Sequence, residues 1–218
     1  TEQGYRLDYD RTFEIDLADI SADDWREIFN LDQNEPMGIL LERAVRRLRE
    51  LHGNEYDFDD IMAVVSQLSK GGRTRTGAAL LNRFEAARDW HIFGSKGLKT
   101  SEIIQSRSVV ILDLSYLSHI STGWNVRALP VAVFARQIAR KAMVYARLKD
   151  QHPEDENLRK ESPIVWMFID EGHQFLPSAS ITPATYPLIE WIRQGRHPGL
   201  SLVIATQMPR RLHSDVIS

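Results

Sequence analysis

The sequence predicts an α/β protein, a parallel sheet with flanking helices that carries an all-helical insertion. Residues 21–92 place apolar side chains at helical spacing with no strand-like alternation. Beyond about residue 107, short apolar runs alternate with helical stretches, the texture of strand–helix–strand units whose strands are covered on both faces. The 218 residues are 43% apolar and 26% charged. That composition excludes disordered, collagen-like and coiled-coil classes, and the length suits one large domain or one domain with a large insertion.

Taken in order, residues 12–17 (TFEIDL) alternate and predict a short strand. Ser21-Ala-Asp-Asp24 has the spacing of a capping box and starts a helix through Trp25, Ile28 and Phe29. Pro36 opens a longer helix. Its stripe is Ile39, Leu40, Leu41, Ala44, Val45, Leu48 and Leu51, and Gly53 stops it. Asp57 or Asp59 caps the next, with Ile61, Val64, Val65 and Leu68 inward and Gly71-Gly72 at its end. A fourth helix, over about 76–90, carries Leu80, Leu81, Phe84 and Ala87. Four short helices of this kind make a bundle. After it come an apolar run Val109–Leu114 (VVILDL) and an amphipathic helix over 127–149 with Val131, Phe134, Ile138, Ala142 and Tyr145 inward. A polar loop at 150–162, a second run Ile164–Ile169 (IVWMFI), a helix near 184–194 broken by Gly195 and Pro198, and a third run Leu200–Ala205 (LSLVIA) follow. The expected division is 1–20 as an early strand of the core, 21–105 as the helical insertion, and 106–218 as the remaining core.

The charge pattern narrows the function. Residues 1–100 hold 19 acids against 14 bases, and the first 35 hold 11 against 3. No Lys/Arg-rich run stands out, so composition gives no argument for nucleic acid, and the acidic helical region speaks mildly against phosphate contact there. The absence of cysteine removes disulfides, thiolate nucleophiles and Cys-based metal sites, and fits a reducing cytoplasm. No run approaches the roughly 18 apolar residues of a membrane span, and the start lacks the layout of a signal peptide. Thr1 opens the chain without an initiator Met, which reads as a piece of something longer. The histidines show no HxxxH or HExxH spacing, and Ser115 and Ser118 lack a nucleophile-elbow context.

Chemistry concentrates at strand ends. In open α/β sheets, ligands bind beyond the carboxyl ends of the strands. IVWMFI runs straight into Asp170-Glu171, LSLVIA into Thr206-Gln207, and VVILDL carries Asp113 followed by Ser115. Three neighbouring strands would then present polar groups on one edge. Six apolar residues leading into two acids are costly unless the acids face a site, because paired carboxylates repel. An apolar strand followed by Asp-Glu suits nucleotide hydrolysis. The Asp holds Mg²⁺, and the Glu orients and polarises the attacking water. This is the Walker B arrangement of P-loop NTPases. Its partner, the GxxxxGK[ST] cradle, is absent. Gly94-Ser95-Lys96-Gly97-Leu98-Lys99-Thr100 is two residues short and follows a helical segment, so it reads as an ordinary loop. The chain is therefore no ATPase, or its P-loop lies before Thr1.

The segment from Ile192 to Ser218 resembles the region after Walker B in HerA-type DNA-translocating ATPases. It shows a Gly-Arg, a Gly-containing turn, an apolar strand, Ala-Thr-Gln, a Pro and Asp-Val-Ile-Ser. Phe168-Ile-Asp-Glu-Gly-His-Gln-Phe-Leu-Pro177 resembles their Walker B segment, and Val110-Ile-Leu-Asp-Leu-Ser115 their preceding strand. The resemblance implies a RecA-like fold, a homo-hexameric ring, and ATP hydrolysis with Mg²⁺ driving movement along double-stranded DNA. It also implies a nuclease or effector partner, in DNA end processing or phage defence. Asp170 would hold the Mg²⁺, Glu171 would be the catalytic carboxylate and Gln207 the polar sensor. Arg196 would be the arginine finger reaching a neighbour's γ-phosphate, with Arg193 as second choice. Met208 stands where the family often has Arg, and Arg210 and Arg211 lie close enough to substitute.

Plainer readings stand beside these. Arg196 reads as a surface Arg in a helix-ending turn, Gln207 as a strand-end side chain on a loop backbone, His173 as a hydrogen-bonded loop residue, and Trp90 and Trp124 as core or interface. The alternatives for the whole are a conjugation- or secretion-type ATPase of the same superfamily and a non-catalytic P-loop scaffold.

Overall fold

The computed structural model describes residues 10–69, 74–94, 107–120, 124–157, 164–196 and 198–217. The described residues are α/β, seven helices and a two-stranded parallel sheet. Four helices come first: α1 (Ala22–Phe29), α2 (Pro36–His52), α3 (Phe58–Leu68) and α4 (Thr74–Arg88). Their ends follow the sequence signals. Ser21 and Asp24 form a full capping box on α1, and Asp57 rather than Asp59 forms one with Asp60 on α3. Pro36 occupies the first turn of α2, where its missing N–H costs nothing. Gly53 ends that helix at a positive φ of 61°, a conformation open to glycine. The expected Gly71-Gly72 stop lies outside the described residues.

These helices bury one continuous apolar stripe each. Leu40, Leu41, Ala44, Val45 and Leu48 of α2 meet Ile61, Val64 and Val65 of α3 and Leu80, Phe84 and Ala87 of α4. Ile39 and Leu51, at the margins of the expected stripe, stay exposed. Trp25, 2% exposed, anchors the centre. It stacks on Phe29 at 5.1 Å and meets Phe84 and Phe58 edge-on at 5.1 and 6.5 Å. Trp90 is buried in the same cluster, as the core reading expects.

The predicted strand at 12–17 is reduced to one parallel bridge, Ile15 to Phe93, followed by a 3₁₀ turn at Leu17–Asp19. Asp16 ends the extended stretch by accepting the Ala18 N–H with its side chain, at 2.9 Å. The VVILDL run is not a strand either. Residues 108–114 are irregular, with Val109, Val110 and Ile111 exposed, and they lead into a 3₁₀ turn at Ser115–His119. Apolar content alone does not make a strand, because the ladder needs a partner backbone.

The long helix α5 (Trp124–Gln151) begins three residues earlier than expected, and Pro130 lies inside it. It serves both halves of the molecule. Val126, Leu129 and Val133 belong to the helical core, whereas Ala128, Val131, Ala132, Phe134, Ala135, Ile138 and Ala142 belong to the sheet's core. Arg136 of α5 forks onto Asp24, Nη1 to Oδ1 at 2.8 Å and Nη2 to Oδ2 at 2.9 Å. The Asp24 side chain is nearly fully buried, so this pair and the α1 cap share one carboxylate.

β1 (Val165–Ile169), α6 (Thr185–Gln194) and β2 (Leu200–Ile204) form a parallel strand–helix–strand unit in register from Val165 with Leu200 to Ile169 with Ile204. Helices α5 and α6 cover one sheet face. On the other face, alternation turns Ile164, Trp166 and Phe168 outward at 79%, 60% and 71% exposure. A short helix α7 (Ser214–Ile217) follows. Among the described residues no helix is long and apolar enough to cross a membrane.

Candidate functional site

The site is built where the two strands end. Ile169 is the last residue of β1 and is buried, and the next residue, Asp170, is exposed. Asp170 Oδ1 accepts the Glu171 N–H at 2.8 Å. Glu171 then takes a left-handed backbone, φ 48° and ψ 44°. A non-glycine residue is rarely found there, and such strain gathers at functional sites. The turn is held from the far strand. Ala205 N donates to Ile169 O at 2.9 Å, and Gly172 N donates to Ala205 O at 2.9 Å. Gly172 allows that approach, because a Cβ there would collide with the Ile204 Cγ2 methyl.

This geometry brings Glu171 and Gln207 together. Gln207 Nε2 donates to Glu171 Oε1 at 2.9 Å. Glu171 Oε2 is buried and has no hydrogen-bond donor, but His173 Nδ1 lies 3.3 Å away. The same Nδ1 is 2.9 Å from Thr206 Oγ1, which also accepts the Met208 N–H at 3.0 Å. Further back the two loops remain tied: His213 N donates to Leu176 O and Ser178 N to Arg211 O, each at 2.8 Å. Thr182 and Thr185 anchor the loop after β1 by donating to Phe175 O. The acid pair therefore sits on a braced platform.

Other expected residues lie apart. Arg196 is exposed in the turn before β2, at the opposite end of the strands. Five residues of strand place it roughly 13 Å or more from the carboxylates. Arg193 is engaged with Asp215 at 2.9 Å. Asp113 does not join the strand edge. It accepts the Ser115 N–H at 2.8 Å, and the Ser115 hydrogen bonds, backbone first, hold its carboxyl below the usual range. Two strands, not three, thus present polar groups on this edge among the described residues. Met208, Arg210 and Arg211 are exposed just beyond Gln207. The Gly94–Thr100 segment lies largely outside the described residues, and so does the side chain of Trp124.

Among the described residues, no three His, Asp or Glu side chains converge on a metal position. Asp170 presents one exposed, hard carboxylate, the kind of oxygen ligand that Mg²⁺ takes. Two features carried no warning in the sequence, the left-handed Glu171 and the His173–Thr206 contact. The Gly after the acid pair is the one local sign of a tight turn.

Compared with known families and curated proteins, the chain matches no family model and no curated sequence.

Proposed function

We propose that the chain is the Walker B half of a RecA-like, HerA-type ATPase, a hexameric ring that couples ATP hydrolysis to movement along double-stranded DNA. One observation carries the reading. At the carboxyl edge of two parallel strands, Glu171 is clamped by Gln207 at 2.9 Å beside an exposed Asp170. Glu171 is the group that orients and polarises the attacking water, and Gln207 reads whether the γ-phosphate is present. Asp170 is the ligand for Mg²⁺, which when bound neutralises charge developing on the phosphates. Arg196 lies at the opposite end of the strands from its own carboxylates. This suits a finger offered to a neighbouring subunit, where a planar cation that stays charged is required. The ring works with a nuclease or effector partner in DNA end processing or phage defence.

No GxxxxGK[ST] pattern occurs in the 218 residues, so the test uses the full-length protein. ATP hydrolysis is measured with and without duplex DNA, for the natural protein and Glu171→Gln. The expected result is DNA-stimulated turnover that falls about 10²–10⁴-fold in the variant, with an unchanged melting temperature. A folded, assembled protein that hydrolyses nothing overturns the motor and leaves a scaffold. Hydrolysis indifferent to DNA points to another polymer.

A further inference from the structure

Gln207 is exposed and its side chain is long, so packing does not fix where its amide stands. Its place opposite Glu171 has to come from the backbone that carries it. That backbone has just left the sheet. The last main-chain bonds between the two arms are Ala205 N to Ile169 O and Gly172 N to Ala205 O, each at 2.9 Å. The next is Ser178 N to Arg211 O at 2.8 Å. Between them, among the described residues, the arms are joined by side-chain hydrogen bonds alone. One is Gln207 to Glu171, and the other is Thr206 Oγ1 with His173 Nδ1 at 2.9 Å.

The Thr206 hydroxyl makes two contacts that bracket Gln207. It accepts the N–H of Met208 at 3.0 Å, closing a turn with Gln207 at the bend. On its other side it meets His173, whose ring is largely buried, and so reaches a fixed point on the loop after β1. One oxygen suffices for both, because a hydroxyl carries one hydrogen and two lone pairs. The contact with the imidazole holds in either tautomer. The hydroxyl donates to a bare nitrogen, or accepts from one that carries the proton.

We infer that Thr206 is a positioning residue. Its hydroxyl fixes the turn that carries Gln207, and so sets the Gln207 amide against the Glu171 carboxylate. The inference deepens the hydrolytic reading above and rests on it for its catalytic meaning. Thr206 touches neither the carboxylate nor the amide. It acts through the backbone of residues 206–208, anchored on His173. A group displaced by about an ångström at a reacting centre loses on the order of 10²-fold in rate. Valine has the shape of threonine without the hydroxyl, and serine has the hydroxyl without the methyl. The pair therefore separates the hydrogen bonds from the packing.

The test has two readouts. In the 218-residue chain, nitrogen-15 NMR follows the side-chain amide of Gln207, identified by its loss in Gln207→Leu. Glu171→Ala marks where that signal lies once its acceptor is gone. Thr206→Val is expected to move the signal to the same place, and Thr206→Ser to leave it where the natural chain has it. An unmoved signal in Thr206→Val overturns the inference, and so does an equal displacement in Thr206→Ser. In the full-length protein, Thr206→Val is expected to lower kcat about 10²-fold at unchanged KM for ATP, and Thr206→Ser to keep most of the rate. Equal kcat for Thr206→Val and the natural protein overturns the positioning role, as does a loss confined to KM. If the natural protein hydrolyses no ATP, the functional reading fails separately, and the amide signal still decides whether Thr206 holds Gln207 against Glu171.

Discussion

The helical region and the sheet are built from similarly apolar sequence, yet they close differently. In the helical region every stripe finds a partner, and Trp25 is 2% exposed. In the sheet one face is packed and the other leaves Trp166 and Phe168 stacked on each other at 6.3 Å, open to solvent. The difference follows from how each element spends its apolar residues. An amphipathic helix needs one covering layer. A strand reading as a continuous apolar run is written for two. Among the described residues only one of those two layers is present, so the sheet's sequence asks for more cover than the helices' does.

Substitutions can break this comparison. The largest effect is expected from Trp25→Ala, which should cost about 3–5 kcal/mol in denaturant unfolding, against a change within about 0.5 kcal/mol for Trp166→Ser. Equal costs would mean that the sheet's outer face is as buried in solution as the helical core. Next comes the pair that fastens the halves. Arg136→Met leaves the Asp24 carboxylate buried without its cation, an expected loss of about 3 kcal/mol. Adding Asp24→Asn should recover part of it, and simple additivity of the two losses would show that the pair does not couple α1 to α5. The smallest effect belongs to a single cap: Ser21→Ala should lower the unfolding free energy by about 1 kcal/mol in the same denaturant titration.

Much of this was legible in the residues, and the reason is locality. Ser21 with Asp24, Asp57 with Asp60, Pro36 and Gly53 each act within a turn of their own helix, so they mark its ends wherever the chain goes. The two apolar runs that became β1 and β2 are strands because they pair with each other, in parallel across α6. VVILDL and TFEIDL failed for the opposite reason, since a strand exists through a partner that its own residues do not specify. The site divides in the same way. Asp170 and Glu171 are adjacent in sequence, and Gln207 could be aligned with them by strand counting. The His173–Thr206 contact spans 33 residues, and the turn at Glu171 is closed by the Gly172 N–H donating to Ala205 O across the strands.

One consequence concerns where this molecule can be divided. Helix α5, 28 residues long and so about 42 Å, lends side chains from the same turns to both cores. The seam between the halves runs along a helix instead of through a linker. A piece ending at residue 94 would lose Val126, Leu129 and Val133 from its interior, and a piece beginning after α5 would uncover the sheet's packed face. The helical region is an excursion when read along the chain, but in space it shares a beam with the strands, and excising either half strips the other.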